Sequence, residues 1–320
     1  MKPIYTVIFA FALPLVAGYG IRQALDAAGR SAEPLLTLSR YQKLAANLVF
    51  APLMTALSLW SLNLGQVQII ALPIIGAVYY VLALALSWLY ARSKHMNGQQ
   101  SAAFTFSGMC SNTGLLGGLF CYLFFGEAGY ALNNFLRLAE SPLIFLVGFP
   151  VASALGKADR VTLRDAARQV ARDPSVMLPV LSIFAGILLN LSGVVRPAAL
   201  GTLNAILIPL STANFAFAIG PTLRLGSFAE HLRPCGAMVI LKFALLPATA
   251  AALGWMAGLH TVDGGLPLKV AVLTTCMPVG FLAPAVATTF NLDEGLANAV
   301  WFTTTMLVFP LVLLLKPILG

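Results

Sequence analysis

Residues 106–120 read Phe106-Ser-Gly-Met-Cys-Ser-Asn-Thr-Gly-Leu-Leu-Gly-Gly-Leu-Phe120, and residues 275–284 read Thr275-Cys-Met-Pro-Val-Gly-Phe-Leu-Ala-Pro284. Both stretches lie inside long apolar segments where an unbroken helix would be expected, yet both carry residues that weaken helices. Glycine costs conformational entropy in a helix, and proline lacks an amide donor and clashes with the preceding turn. Each stretch therefore predicts a broken helix.

The composition is that of a membrane protein. Of the 320 residues, 59% are hydrophobic and 9% are charged, and the mean hydropathy is +0.88, whereas about 25% of residues are charged in soluble domains. A helix needs about 20 mostly apolar residues to span the hydrocarbon core. Ten segments meet this requirement, and they cover residues 4–21, 44–62, 67–90, 101–125, 130–153, 174–194, 200–223, 235–258, 266–290 and 295–316.

Loop charges predict the orientation, because Lys and Arg concentrate in cytoplasmic loops. With the N-terminus outside, the inner loops hold 13 of the 19 cations and the outer regions hold three. We therefore expect a multi-pass inner-membrane protein with both termini outside. The same rule accounts for the net charge of +8. We therefore expect membrane lipids as partners and no nucleic-acid binding. The cations assigned to inner loops are Arg22, Arg30, Arg40, Lys43, Arg92, Lys94, Lys157, Arg160, Arg164, Arg168, Arg172, Arg224 and Arg233.

A charged cytoplasmic linker at residues 156–173 divides the segments into five and five, in residues 1–155 and residues 174–320. The linker fits a short helix on the anionic inner leaflet and a solvated connection equally well. Residues 110–117 align with residues 276–283 at an offset of 166. Because five spans is an odd number, a second copy enters the membrane from the opposite side. We expect an all-α fold of ten helices in two inverted five-helix repeats, with helices 4 and 9 broken and crossing.

Three short motifs carry a resemblance to a known family. Ser111-Asn-Thr-Gly-Leu-Leu-Gly117 resembles the Ser-Asn-x-Gly-x-x-Gly signature in the fourth helix of the auxin efflux carrier family. The runs Lys43–Pro52 and Pro284–Val300 are similar to that family's second helix and to its approach to the last helix. The family's proline after the signature is replaced by Leu119-Phe120. The long hydrophilic loop of the plant PIN carriers is absent, which implies a bacterial malonate or malate permease.

The resemblance implies a fold related to bile-acid sodium symporters. Helices 1, 2, 6 and 7 would form a scaffold domain, and helices 3–5 and 8–10 would form a transport domain that moves by an elevator mechanism. The crossing of helices 4 and 9 would hold a small organic anion, such as malonate, malate or an auxin-like acid. A homodimer through the scaffold domain is also implied.

The chemistry of a broken helix points to the same class of ligand. The second half of such a helix begins with free N–H groups and about half a positive charge, which bind anions, and the first half ends with free carbonyls, which bind cations. Small residues are also common where membrane helices pack, which is the alternative explanation for this composition. The candidate substrate-binding residues are Ser111, Asn112, Thr113, Gly114, Cys276, Pro278, Gly280 and Phe281.

Charged residues inside membrane spans are costly and indicate function. Arg137 and Glu140 lie three residues apart and share a helix face, so they either bind substrate and a coupling ion or neutralise each other. Lys242 lies too deep to reach the surface, and it either binds an anion or pairs with Glu140. Asn133 and Asn134 fit an outer vestibule or a polar helix cap.

Other function classes have weaker support in the sequence. No catalytic residues, metal site or cofactor is predicted, although H⁺ or Na⁺ is a candidate coupling ion. Cys110 and Cys276 hold equivalent places before the two breaks and are expected as a reduced pair. A sodium-coupled symporter of the bile-acid type is the main alternative, followed by a non-transporting membrane sensor. An intramembrane enzyme would need a nucleophile with a base, or a metal cluster, and the histidines are badly placed for either.

Overall fold

The computed structural model describes residues 8–62, 64–156, 174–223 and 229–319, together with residues 5 and 172. The regular secondary structure in these ranges is helical, apart from one isolated bridge between Ser111 and Val279. The predicted alternatives for the linker concern residues 157–171 and 173, which lie outside the described residues.

Twelve helical segments of at least eight residues follow one another in the described chain. Their bounds are α1 Ile8–Ala27, α2 Glu33–Trp60, α3 Val67–Ser93, α4 Gly98–Met109, α5 residues 113–125, α6 residues 127–156, α7 Pro174–Leu191, α8 Ala198–Thr222, α9 Leu232–Met256, α10 Leu266–Thr275, α11 Leu282–Thr289 and α12 Glu294–Leu319.

The chain reverses direction between α5 and α6. Gly126 has φ 66° and ψ −157°, a backbone conformation that favours glycine because it lacks a Cβ. On either side of this residue, Gly118 lies against Tyr130 and Gly114 lies against Arg137. The two helices therefore run antiparallel, as a tight hairpin inside what is otherwise one helical stretch, Thr113–Gly156.

Seven helical stretches within the described residues are long and apolar enough to cross a membrane. The count is lower than the ten predicted spans for local reasons. The α5–α6 hairpin counts as one stretch, α4, α10 and α11 are each too short to cross alone, and the apolar part of α7, Met177–Leu191, is also a shorter helix. Large apolar side chains such as Phe9, Val16, Leu188 and Ile206 are exposed on α1, α7 and α8, as expected where the surrounding medium is lipid. The chain is a multi-pass helical membrane protein.

The helices pack in two groups. α7 packs along α2, and α8 packs against α1 and α2. α3 packs against α4 and α9, while α12 packs against α4, α9 and α11. The continuous buried core lies mainly in this second group and includes Tyr80, Phe104 and Phe120.

The predicted boundaries of three helices need correction. α2 begins at Glu33, not near residue 44, so Arg40 and Lys43 lie in a helix. Arg22 lies in α1 and Arg92 in α3, also within helices that were expected to have ended. Charge lowers the hydropathy of these helix ends, but it does not end a helix, which requires lost backbone bonds or a breaking residue.

Candidate functional site

The first predicted break is present between α4 and α5. Helix α4 ends at Met109, and Cys110 is extended, with ψ 120°. Asn112 restarts the helix, because its Oδ1 accepts the Leu116 amide at 3.3 Å and so caps α5. The second predicted break is also present: α10 ends at Thr275 and α11 begins at Leu282.

The two breaks pair with each other through their backbones. The Asn112 amide donates to the Pro278 carbonyl at 2.8 Å, and the Gly280 amide donates to the Cys110 carbonyl at 3.1 Å. A Cβ on Gly280 would lie 3.0 Å from the Ser111 carbonyl, so only glycine lets the chains come this close. These two hydrogen bonds bring together the two sets of sequence-predicted residues, which we call the crossing, defined as residues 110–114 and 276–281.

Lys242 reaches the crossing from α9 and is fully buried. Its ammonium group donates to the Gly108 carbonyl at 2.6 Å, to the Cys110 carbonyl at 3.4 Å and to the Ser111 hydroxyl. It does not pair with Glu140, which was one of the two alternatives from the sequence. The lysine instead adds a positive charge to the carbonyl end of α4.

Arg137 and Glu140 form an ion pair, with Nη2 and Oε2 2.5 Å apart. Thr113 joins them, because its hydroxyl donates to Glu140 at 2.8 Å and accepts from Arg137 at 3.1 Å. The arginine also lies against Gly114, and its side chain keeps 25% of its surface exposed. This cluster holds α6 against the start of α5.

Asn133 and Asn134 are buried inside the fold and line no vestibule. The Asn133 Oδ1 accepts from the Thr274 hydroxyl at 2.9 Å, and the Asn134 Oδ1 accepts from Arg137 at 3.2 Å. Both predicted roles, a vestibule and a helix cap, are therefore wrong. The α5–α6 hairpin carries these residues inward, where they bridge to α10 and position Arg137.

The cysteines at the crossing are both free thiols. Cys110 and Cys276 are buried, and the Cys110 thiol lies 3.8 Å from the Gly280 carbonyl. Pro278 contributes its carbonyl to the crossing, and Phe281 lines a cavity beside it.

An open cavity of about 690 Å³ begins beside Phe281. Lys43 is the side chain that the sequence reasoning missed, since it had been placed in a loop. Its ammonium group lies 4.5 Å from the Phe281 ring centroid and 3.4 Å from the Thr222 hydroxyl. Lys43 is the first residue of the run Lys43–Pro52, which resembles the second helix of the auxin efflux carrier family. That resemblance is the sequence signal that could have indicated a functional role for Lys43. The lining residues are Tyr19, Arg22, Gln23, Asp26, Leu36, Lys43, Pro221, Thr222, Leu223, Phe281, Pro284, Ala285, Thr288, Glu294 and Asn298.

The apolar helices are those of a multi-pass membrane protein, and one comparison supports a transport protein. No protein-family model matches the chain. A protein from Methanothermobacter thermautotrophicus named "Uncharacterized transporter" is 23% identical over 265 residues, which cover 81% of this chain and 82% of that protein. The similarity and the apolar helices support a transporter in general, and a role other than an enzyme.

Proposed function

We propose that the protein transports small organic anions, with carboxylates such as malonate or malate as the substrate class. The observation that carries the proposal is the crossing, where two broken helices pair through Asn112 and Gly280. The helix halves that begin there direct N–H groups and positive dipole ends toward a ligand. Lys242 and Arg137 add two cations, of which only Arg137 has a carboxylate partner in the described chain.

An inverted repeat of ten spans is the topology that this proposal uses. At the offset of 166, Asn112 corresponds to Pro278, and these two residues share a hydrogen bond. Pairing of equivalent positions is expected where a pseudo-two-fold axis passes through a binding site. The packing of α7 and α8 on α1 and α2 supports a scaffold built from those four helices.

The position of the cavity supports an elevator mechanism. It opens between the proposed scaffold, which supplies Lys43, and the proposed transport domain, which supplies Phe281. It lies at the end of the molecule that carries the predicted cytoplasmic cations. A carboxylate entering here would meet the Lys43 ammonium before it reaches the N–H groups of the crossing. Movement of the crossing past the scaffold would then carry it outward.

Counterflow in proteoliposomes tests the proposed function. Labelled malonate is supplied outside, and vesicles are preloaded with malonate, malate, a monocarboxylate, the neutral analogue malonamide or a diamine. We expect uptake to be driven by trapped carboxylates only, because the site offers donors and cations. Protein-free vesicles provide the background. Equal uptake with malonamide would contradict the anion assignment, and no uptake by folded protein would favour a sensor.

Lys43→Gln tests the route through the cavity. We expect the half-saturating carboxylate concentration at the cavity side to rise about tenfold, because a charge-assisted contact contributes about 1.5–3 kcal/mol. The maximum rate should change less, since the crossing is intact. Lys94→Gln is the matched control, because Lys94 is exposed after α3 and lies outside the cavity lining. Unaltered saturation in Lys43→Gln, or equal effects in both variants, would exclude this route.

A further inference from the structure

The carbonyl end of α4 is where a cation would be most stabilised at the crossing. A helix ends with unpaired carbonyls and about half a negative charge. In transporters with discontinuous helices, such ends and the unwound backbone beside them coordinate the coupling ion. Here the oxygens directed to one point are the Gly108 and Cys110 carbonyls and the Ser111 hydroxyl.

The Lys242 ammonium occupies that point. An ammonium group has three donors and accepts nothing, and the structure gives it three acceptors, all of them neutral oxygens. The group is fully buried, so it lacks the hydration that an exposed lysine would keep. Tyr79 closes the other side: its hydroxyl lies 2.6 Å from the Ser111 hydroxyl, and its ring centroid lies 5.8 Å from the lysine nitrogen.

Lys242 binds backbone carbonyls because the nearby carboxylate, that of Glu140, already binds other side chains. Glu140 accepts from Thr113 through Oε1 and from Arg137 through Oε2. Among the described contacts, the compensation for the lysine therefore comes from carbonyl dipoles, as it would for a bound metal cation. Lys242 lies in a π-helical turn, Leu241–Leu245, which widens α9 at this level. Such turns are frequent at functional sites.

We propose that Lys242 is a built-in cation, which takes the position of a coupling ion at the carbonyl end of α4. The inference deepens the proposed carboxylate transport and rests on it for its kinetic test. Because the ammonium group is covalently attached, it stays with the crossing throughout the cycle. Carboxylate transport consequently proceeds without bound Na⁺, and the Lys242 ammonium also favours anionic cargo at the crossing.

The first test uses the wild-type protein in sodium chloride or in choline chloride at equal ionic strength. We expect equal rates of carboxylate counterflow and equal melting temperatures in the two salts. A sodium requirement for transport, or a sodium-specific rise in melting temperature, would overturn the inference. Absence of any carboxylate exchange would instead overturn the proposed function, and the melting temperatures would still report on the cation.

The second test removes the Lys242 ammonium group from the carbonyl end of α4. In Lys242→Ala, counterflow in choline should fall about tenfold or more, because buried carbonyls lose their partners. Sodium or methylammonium should restore most of the rate and raise the melting temperature, since either cation fits where the ammonium stood. Lys242→Met fills the same space without charge, so it should lose transport and gain nothing from either cation. Lys269→Ala, a lysine on α10, should behave as wild type in every salt.

Cation-independent behaviour of folded Lys242→Ala, or equal rescue of Lys242→Met, would contradict the assignment. Should the alanine variant fail to fold, Lys242→Ser replaces it, because the serine hydroxyl supplies an additional oxygen to an incoming cation. The melting temperature of this variant should rise in sodium relative to choline, and an unchanged value would overturn the inference.

Discussion

Asn112→Asp should abolish carboxylate exchange while leaving the fold intact. Asn112 caps α5 with its Oδ1, and aspartate caps helices about as well as asparagine. Its negative charge would also be favourable at the positive end of α5. The same charge would stand where a substrate carboxylate binds, and like charges placed together cost several kcal/mol. We expect exchange to fall about 100-fold or more at an unchanged melting temperature.

The matched variant for this experiment is Asn112→Ser, which keeps a capping oxygen and adds no charge. It should lose far less exchange activity than Asn112→Asp. Counterflow rates, normalised to folded protein in each vesicle preparation, distinguish the variants. Full activity of Asn112→Asp would mean that the carboxylate binds elsewhere. Asn112→Ala is the less informative change, because it removes the cap and costs about 1 kcal/mol of stability in addition to the amide.

The breaks in the helices could be predicted because local chemistry decides them. Pro278 removes a backbone donor, and Asn112 offers the backbone a competing acceptor, so both signals are readable without tertiary information. The start of α2 was missed, although Pro34 in its first turn marks it. Hydropathy indicates where lipid begins and not where a helix begins, so it does not detect this start.

The partners of the charged residues depend on packing and could not be predicted in the same way. Arg137 and Glu140 were correctly placed together because they lie on one helix face. Lys242 binds oxygens 131 to 134 positions away along the chain. Asn133 points to α10 only because the chain reverses at Gly126, which appeared in the sequence as one glycine among many.

Glu127 and Arg196 provide the second large expected effect. Arg196 binds the Glu127 carboxylate through two nitrogens, at 2.5 and 2.8 Å, and also donates to the Leu57 carbonyl at 2.7 Å. Asn204 donates to Glu127 at 2.5 Å and to the Ser58 hydroxyl at 2.7 Å. Paired nitrogens on one carboxylate make a strong, directional contact. The pair joins the hairpin tip of α5 and α6 to α2 and α8.

The position of this pair gives it a role in the proposed elevator cycle. Glu127 belongs to the proposed transport domain, and Arg196 belongs to the proposed scaffold. The pair lies at the end of the molecule opposite the cavity, as the predicted topology places it. In the proposed cycle, the pair would hold the carrier closed on the outer side while the cavity is open on the inner side. We expect it to break once in each proposed transport cycle.

Charge reversal tests the pair. Glu127→Arg and Arg196→Glu should each lower the melting temperature and slow counterflow, because a partly buried charge faces a like charge. The double variant should recover much of both losses, with a coupling energy of about 1–3 kcal/mol in the cycle. Purely additive losses would mean that the two side chains do not interact.

A cysteine in the cavity tests whether the Glu127–Arg196 pair opens during transport or is a fixed structural contact. Ala285 is exposed to the cavity on α11, and the four native cysteines are buried, so Ala285→Cys should react rapidly with an impermeant maleimide in inside-out vesicles. If the pair holds the inward-open state, Arg196→Gln shifts the population outward. Labelling should then slow several-fold, since each 1.4 kcal/mol changes a population ratio by about tenfold. If the pair is a fixed contact, Arg196→Gln would lower the melting temperature and leave the labelling rate unchanged.

Addition of a carboxylate to the same labelling experiment tests the proposed route. The carboxylate should partly restore the labelling rate of Arg196→Gln only if Lys43 and Phe281 bind it on the inner side.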